Sequence, residues 1–477
     1  MGEISILLVL VIGVPWLFLA SLYSRHAVWL LLLWIPIQGW VQLNLFNDSN
    51  ATVLLYEFQI VGIYLIFAIR ALGNPGRYGP PRTMWFAVPV TLWALALIPS
   101  SLAANGPLVT ALGIRTLLLP LPLVWIGYRA FDNQQQLRNV GKLVMLQLVL
   151  VAWVAASQFM EFTALLGLSE FVRMPLGFTN VGVIRPPGTF SSPGHLGMYV
   201  LFAVPFAIGL LGLRSTRGTR VLYASGLVGA TVALMVNTQR ATMVLLTVTL
   251  PLVFWLARTQ HTMRNLLITF CVLGAGGAIG AQIAGGAFVQ RAQSISRDAR
   301  NSLILVPTER MMGALQNPLI GEGLGVASPG ARRLIAPLGT ANTNPATSIR
   351  DSESFMASLV YEVGVPGLLL FYLFIVALLT VGLRSVRECR RTDMALLASA
   401  ILAFEVAICL QSWTYDPLHA PPSRVLFWIW AGVLLRLPTL ATDRSPLIAR
   451  TAKRTPDIPV RLLAKPHVLA AARRSTV

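Results

Sequence analysis

Seven side chains in this 477-residue chain have types and settings that could do chemistry: Arg115, Arg185, His195, Arg240, Arg350, Asp351 and Glu353. Arg185 opens Arg185-Pro186-Pro187-Gly188-Thr189-Phe190, where two prolines fix φ and remove N–H groups beside a permissive glycine. Such a rigid loop, with free backbone N–H groups and a guanidinium, suits an anion at the rim of a membrane, although an ordinary turn would use the same residues. Arg240, in Thr238-Gln239-Arg240-Ala241, stands between two apolar runs joined by almost no loop. A cation there either faces a cavity or a partner, or snorkels to the surface. Arg350, Asp351 and Glu353 stand just before another apolar run. Partial burial would raise Glu353 toward the range of a general base; alternatively Asp351 and Glu353 cap the first helical turn. Arg115 lies near the end of an apolar run and, with Arg350, Asp351 and His195, is a candidate substrate contact. His195 has no second histidine nearby and reads as a local hydrogen-bonding residue rather than a metal ligand.

The elements that must position these residues are apolar. The chain is 55% hydrophobic and 12% charged, about half the charged share of a soluble domain. Its mean hydropathy is +0.69, and a soluble protein could not build a charged surface from it. Runs near membrane-crossing length fall at about 4–23, 27–46, 53–69, 84–103, 107–127, 143–166, 196–213, 221–236, 242–257, 265–287, 355–383, 394–412 and 423–437. The expected fold is all-α: a polytopic membrane domain over 1–437 with about 12–13 transmembrane helices. The first run has no basic leader and no cleavage site, and is read as a retained span.

A net charge of +19 would suggest nucleic acid in a soluble protein; here the positive-inside rule accounts for it, and no nucleic-acid partner is expected. Basic residues gather in alternate loops, at Arg70 to Arg82, Arg129 to Lys142, Arg214 to Arg220, Arg258 to Arg264 and Arg384 to Arg391. That pattern expects the N-terminus outside and the C-terminus cytoplasmic. Outside segments at 167–195 and 288–354 break the pattern of short loops, and Asp298–Gln316 has the spacing of an amphipathic surface helix. The basic tail over 438–477 is expected to be disordered or to lie on anionic lipid. The three cysteines have no metal or disulfide spacing. Gly321-Glu322-Gly323-Leu324-Gly325-Val326 looks like part of a dinucleotide fingerprint but follows no strand, so no cofactor is expected.

Taken in order, the motifs resemble those of the O-antigen polymerase and O-antigen ligase superfamily. They are Arg185-Pro186-Pro187-Gly188-Thr189-Phe190; Thr238-Gln239-Arg240-Ala241; Gly321, Gly323 and Gly325 in a long loop; then Glu353-Ser354-Phe355-Met356 leading to Glu362-Val363-Gly364-Val365-Pro366-Gly367. The match covers about residues 180–385. The resemblance implies a membrane-embedded, metal-independent, inverting glycosyltransferase of the bacterial cytoplasmic membrane. Such proteins transfer a glycan from an undecaprenyl-diphosphate carrier on the outer face. It implies Arg185 and Arg240 as diphosphate binders, Glu353 as base and Arg350 as a second anion contact. It also brings in membrane lipids, and the chain-length regulator and flippase of the same pathway, as partners. Glu353 stands where ligases of the family look to have histidine, which points to an O-antigen or exopolysaccharide polymerase rather than a ligase onto lipid A-core. A lipid-linked oligosaccharide flippase would share the arginine-lined spans but is expected to show two related halves, and none is evident. A non-catalytic scaffold of the same family is the remaining alternative.

Overall fold

The computed structural model describes residues 15–16, 23–44, 51–162, 179–180, 183–213, 215–258, 262–286, 300–328, 353–419 and 422–442. Arg350, Asp351, most of the 4–23 run and nearly all of the basic tail lie outside the described residues.

Among the described residues the fold is helical apart from one short strand pair, and its apolar helices make it a multi-pass membrane protein. In chain order the helices are α1 (Ser24–Asn44), α2 (Ala51–Gly73), α3 (Val88–Ala96), α4 (Ile98–Leu117), α5 (Leu123–Arg129), α6 (Gln134–Phe162), α7 (Pro193–Leu211), α8 (Arg217–Asn237), α9 (Arg240–Ala257), α10 (Thr262–Ala284), α11 (Val306–Ala314), α12 (Phe355–Cys389), α13 (Ala395–Gln411) and α14 (Ser423–Thr442). Two-residue strands, β1 (Thr179–Asn180) and β2 (Val183–Ile184), pair antiparallel just before Arg185.

About thirteen crossings are expected from hydropathy. Among the described residues, eight helices are long and apolar enough to cross a membrane, or nine if one bent pair counts as a span. That pair corrects the expected crossings at 84–103 and 107–127: Arg82–Ala96 meets Ile98–Leu117 at 69°. Pro99 favours a new helix start, Gly106 breaks α4 at φ 78° before Pro107, and Pro120 and Pro122 end the helical run before α5. α13 is apolar but, at 17 residues, shorter than the eight spanning helices.

α7 is the axle of the bundle. It packs against α6, α8, α9, α13 and α14, and 83% of its apolar window is buried in protein. α10, by contrast, buries only 17% of its window, so most of its apolar surface faces outward, as expected of a lipid-facing helix. Close helix contact depends on small residues. A Cβ on Gly127 of α5 or Gly432 of α14 would collide with the other helix's backbone at Ile429 and Val124.

The basic loops meet at one end of the bundle. Arg129 donates to the Gly79 carbonyl at 2.9 Å, Arg77 lies 4.0 Å from Asp132, and Arg258 shares a recess with Arg387 and Arg390. Arg185, Arg240 and Glu353 lie at the opposite helix ends: Arg240 begins the helix that Arg258 caps.

Two broken helices hold one buried loop. α12 is interrupted at Gly364, φ 69°, and α4 at Gly106. Between them runs Gly321–Ser328, whose glycines 321, 323 and 325 all have positive φ. Backbone groups freed by these breaks must find partners away from water. The Tyr361 carbonyl accepts from Glu322 N–H at 2.6 Å, the Val363 carbonyl from the Trp93 indole at 2.8 Å, and Val365 N–H donates to the Pro318 carbonyl at 2.7 Å. Asn105 and Ser101 of α4 bind the Glu322 carbonyl and Leu324 N–H, each at 2.9 Å. The glycine triplet is a packing device between α4 and α12.

Candidate functional site

The Arg185 loop is fixed from three sides. The Gln158 side chain of α6 accepts from Gly188 N–H and donates to its carbonyl, both at 2.8 Å. Trp40 N–H of α1 donates to the Thr189 carbonyl at 2.7 Å. Asn237, the last residue of α8, donates to the Pro186 carbonyl at 2.9 Å and the Pro193 carbonyl at 3.1 Å. Pro186 and Pro187 are buried, Gly188 has φ 64°, and Arg185 is half-buried.

Asn237 thereby ties this loop to the turn that carries Arg240. The turn passes through Thr238, left-handed at φ 54°, and Gln239, both buried. A non-glycine residue holds that conformation only where its surroundings over-determine it. Arg240 is half-buried at the first position of α9, where the helix dipole adds positive potential.

His195 sits on the same loop. Ser192 caps α7 by accepting from His195 N–H at 3.2 Å, and the His195 Nδ1 lies 3.0 Å from the Ser191 hydroxyl. It is a local hydrogen-bonding residue. Among the described residues no group of three His, Cys, Asp or Glu could hold a metal.

Glu353 departs from the expected partial burial: its side chain is 68% exposed. Ser354, not Glu353, is the N-cap of α12, accepting from Ala357 N–H at 3.4 Å. Glu353 therefore lies one residue outside the helix and points into solvent, 3.2 Å from both terminal nitrogens of Arg310 on α11. That arginine belongs to the segment read as an amphipathic helix. Its apolar residues Leu303, Ile304, Leu305, Met312 and Leu315 are exposed, while Ala314 packs on α12.

Tyr415, between α13 and α14, was not singled out in the sequence and draws the pieces together. A Cβ added at Gly194 of α7 would lie 2.9 Å from its hydroxyl. Its carbonyl accepts from Phe355 N–H at 3.1 Å, next to Glu353. Burial pushes the phenol up to about 12; Asp416 and Glu353 push the same way and Arg185 opposes them.

Two further sets of buried polar groups follow, and the sequence showed the pairing of neither. His419 Nδ1 is 2.8 Å from Asp416 Oδ2. Glu362 of α12 accepts from the Ser328 hydroxyl at 2.7 Å, which is 2.8 Å from Thr116. The local signals were an aspartate three residues before a histidine and Glu362 in its glycine-bearing motif. Arg115 is ion-paired with Glu57 of α2, and the buried Arg424 of α14 lies 3.7 Å from that carboxylate. The Arg115 side chain remains partly exposed and lines a recess with Tyr64, Ile114 and Leu118.

The arrangement sets two arginine-bearing turns, joined by Asn237, at the same bundle end as an exposed carboxylate, chemistry suited to an anion and a second, hydroxyl-bearing reactant. No family model matches the chain, and no curated protein sequence matches it.

Proposed function

We propose that this end of the bundle transfers a glycan from a polyprenyl-diphosphate carrier, undecaprenyl diphosphate in a bacterial cytoplasmic membrane, to an acceptor hydroxyl. The observation that supports the reading is that Asn237 joins the Arg185 loop to the turn carrying Arg240, at the same end of the bundle as the exposed Glu353. Guanidinium groups match phosphate oxygens geometrically and neutralise the charge that develops on a departing diphosphate. Glu353 takes the proton of the acceptor hydroxyl, whose oxygen attacks the anomeric carbon. The bond from that carbon to the diphosphate oxygen breaks, the lipid diphosphate leaves with both electrons, and the anomeric configuration inverts. Arg310 orients the Glu353 carboxylate. The basic end lies on the cytoplasmic side by the positive-inside rule, which puts this site on the outer face. A second lipid-linked repeat as acceptor makes the protein a polysaccharide polymerase; flippase and chain-length regulator are its functional partners.

The test uses protein reconstituted in lipid with an undecaprenyl-diphosphate oligosaccharide as sole substrate. Released lipid diphosphate and product length are followed for the wild type, Arg185→Ala, Arg240→Ala and Glu353→Gln. A ladder of longer glycans, lost in the variants, supports the polymerase. Release only when lipid A-core is added favours a ligase. Movement of intact lipid-linked glycan between leaflets, with no diphosphate released, overturns transfer in favour of a flippase.

A further inference from the structure

The basic end of the bundle carries a recess of about 350 Å³ lined by Trp255, Leu256 and Arg258 of the α9 terminus and Leu383, Arg387 and Arg390 of the α12 terminus. We propose that it binds the phosphate headgroup of an anionic membrane phospholipid. The site is separate from the glycan chemistry, since Arg240 and Arg258 bracket the whole of α9, ~27 Å at 1.5 Å per residue.

The positive-inside rule asks only that this end be basic. It does not ask that Arg258 and Arg387, 129 residues apart in the chain, converge on one hollow. Among the described residues none of the three arginines lies within ion-pair distance of a carboxylate, and Glu388, adjacent in sequence, is no exception. Two helix C-termini point here and contribute about half a negative charge each, against three full positive charges, so the recess stays cationic. Arg258 is held left-handed at φ 40°, with its guanidinium 5.5 Å from the Trp255 ring centroid. A non-glycine residue in that conformation is fixed by its surroundings, which here aim its charge over the recess.

The apolar half decides between a lipid and free phosphate. Leu256 is buried, Leu383 half-buried, and Trp255 is 60% exposed. An exposed tryptophan beside arginines at a helix end is the chemistry of the membrane interface, where a ring sits at headgroup level. Free phosphate would have no use for the leucine floor. A headgroup with its glycerol would cover both halves, and the volume falls at the small end of ligand sites.

The test is native mass spectrometry of the delipidated full-length protein titrated with phosphatidylglycerol, with phosphatidylcholine and, separately, with inorganic phosphate. The wild type is expected to retain phosphatidylglycerol over phosphatidylcholine. Arg258→Ala, Arg387→Ala and Arg390→Ala are each expected to weaken the first phosphatidylglycerol by about fivefold. Arg384→Ala and Arg391→Ala, on the same helix end but outside the recess, are expected to change it little. Arg387→Gln keeps the side-chain stem and reports the charge alone if truncation disturbs the helix end. Equal weakening by Arg384→Ala, or no weakening by the recess variants, overturns the site. Binding of inorganic phosphate with the same arginine dependence, and no preference for phosphatidylglycerol, overturns the lipid assignment.

Discussion

His419 Nδ1 lies 2.8 Å from the Oδ2 of Asp416, three residues earlier, and neither side chain is more than 7% exposed. Burial opposes a charge on this imidazole, but the Asp416 carboxylate, its hydrogen bond and Glu362 outweigh burial and the nearby Arg424, and raise its pKa above the usual value. A histidine raised on folding contributes stability that is fully present below its unfolded pKa of about 6.5 and is lost as pH rises through the folded one. The melting temperature of the purified protein is therefore expected to fall as pH rises above about 6.5. His419→Gln is expected to flatten that slope. An equally steep slope in the variant would assign it to other groups.

Glu353 and Arg310 form an exposed pair, worth at most about 1 kcal/mol to the fold. Glu353→Gln is therefore expected to leave thermal stability nearly unchanged and to lower glycan transfer by about 10²–10⁴-fold. Arg310→Ala is expected to lower transfer less, because it removes the orienting partner and keeps the carboxylate. Parallel melting curves and turnover assays separate these effects. A large stability loss in Glu353→Gln would mark the residue as structural.

Gly325 lies at φ 89°, and a Cβ there would sit 1.8 Å from the Val109 carbonyl oxygen. Gly325→Ala combines left-handed strain with overpacking in a well-filled interior and is expected to cost about 3 kcal/mol or more. Gly274, in α10, has nothing within 4 Å of an added Cβ, so Gly274→Ala is expected to be neutral or stabilising by up to about 1 kcal/mol. Detergent-solubilised melting temperatures compare the two.

Gly76 and Gly286 stand at opposite ends of the bundle, and nothing closer than 3.9 Å would meet a Cβ at either. In a background without the native cysteines, a membrane-impermeant maleimide added to intact cells is expected to label Gly286→Cys and not Gly76→Cys. The reverse pattern would invert the proposed orientation and move the Arg185 end to the cytoplasm.

Hydropathy alone determined that this chain lives in a membrane, because runs of apolar residues cannot be covered by its few charges. The alternating basic loops likewise determined which helix ends belong together. Proline and glycine spacing marked the Arg185 loop, since those residues act on their own backbone. What lay across the sequence was not legible. Periodicity could not show that Tyr415 would meet both Gly194 and Phe355, or that Glu57 would claim Arg115. Nor could it show that Glu353 would fall just outside its helix, with Ser354 taking the cap. Each of these depends on which helices become neighbours. That is decided by close packing and by where backbone groups freed at the Gly106 and Gly364 breaks find partners, and both are properties of the assembled bundle.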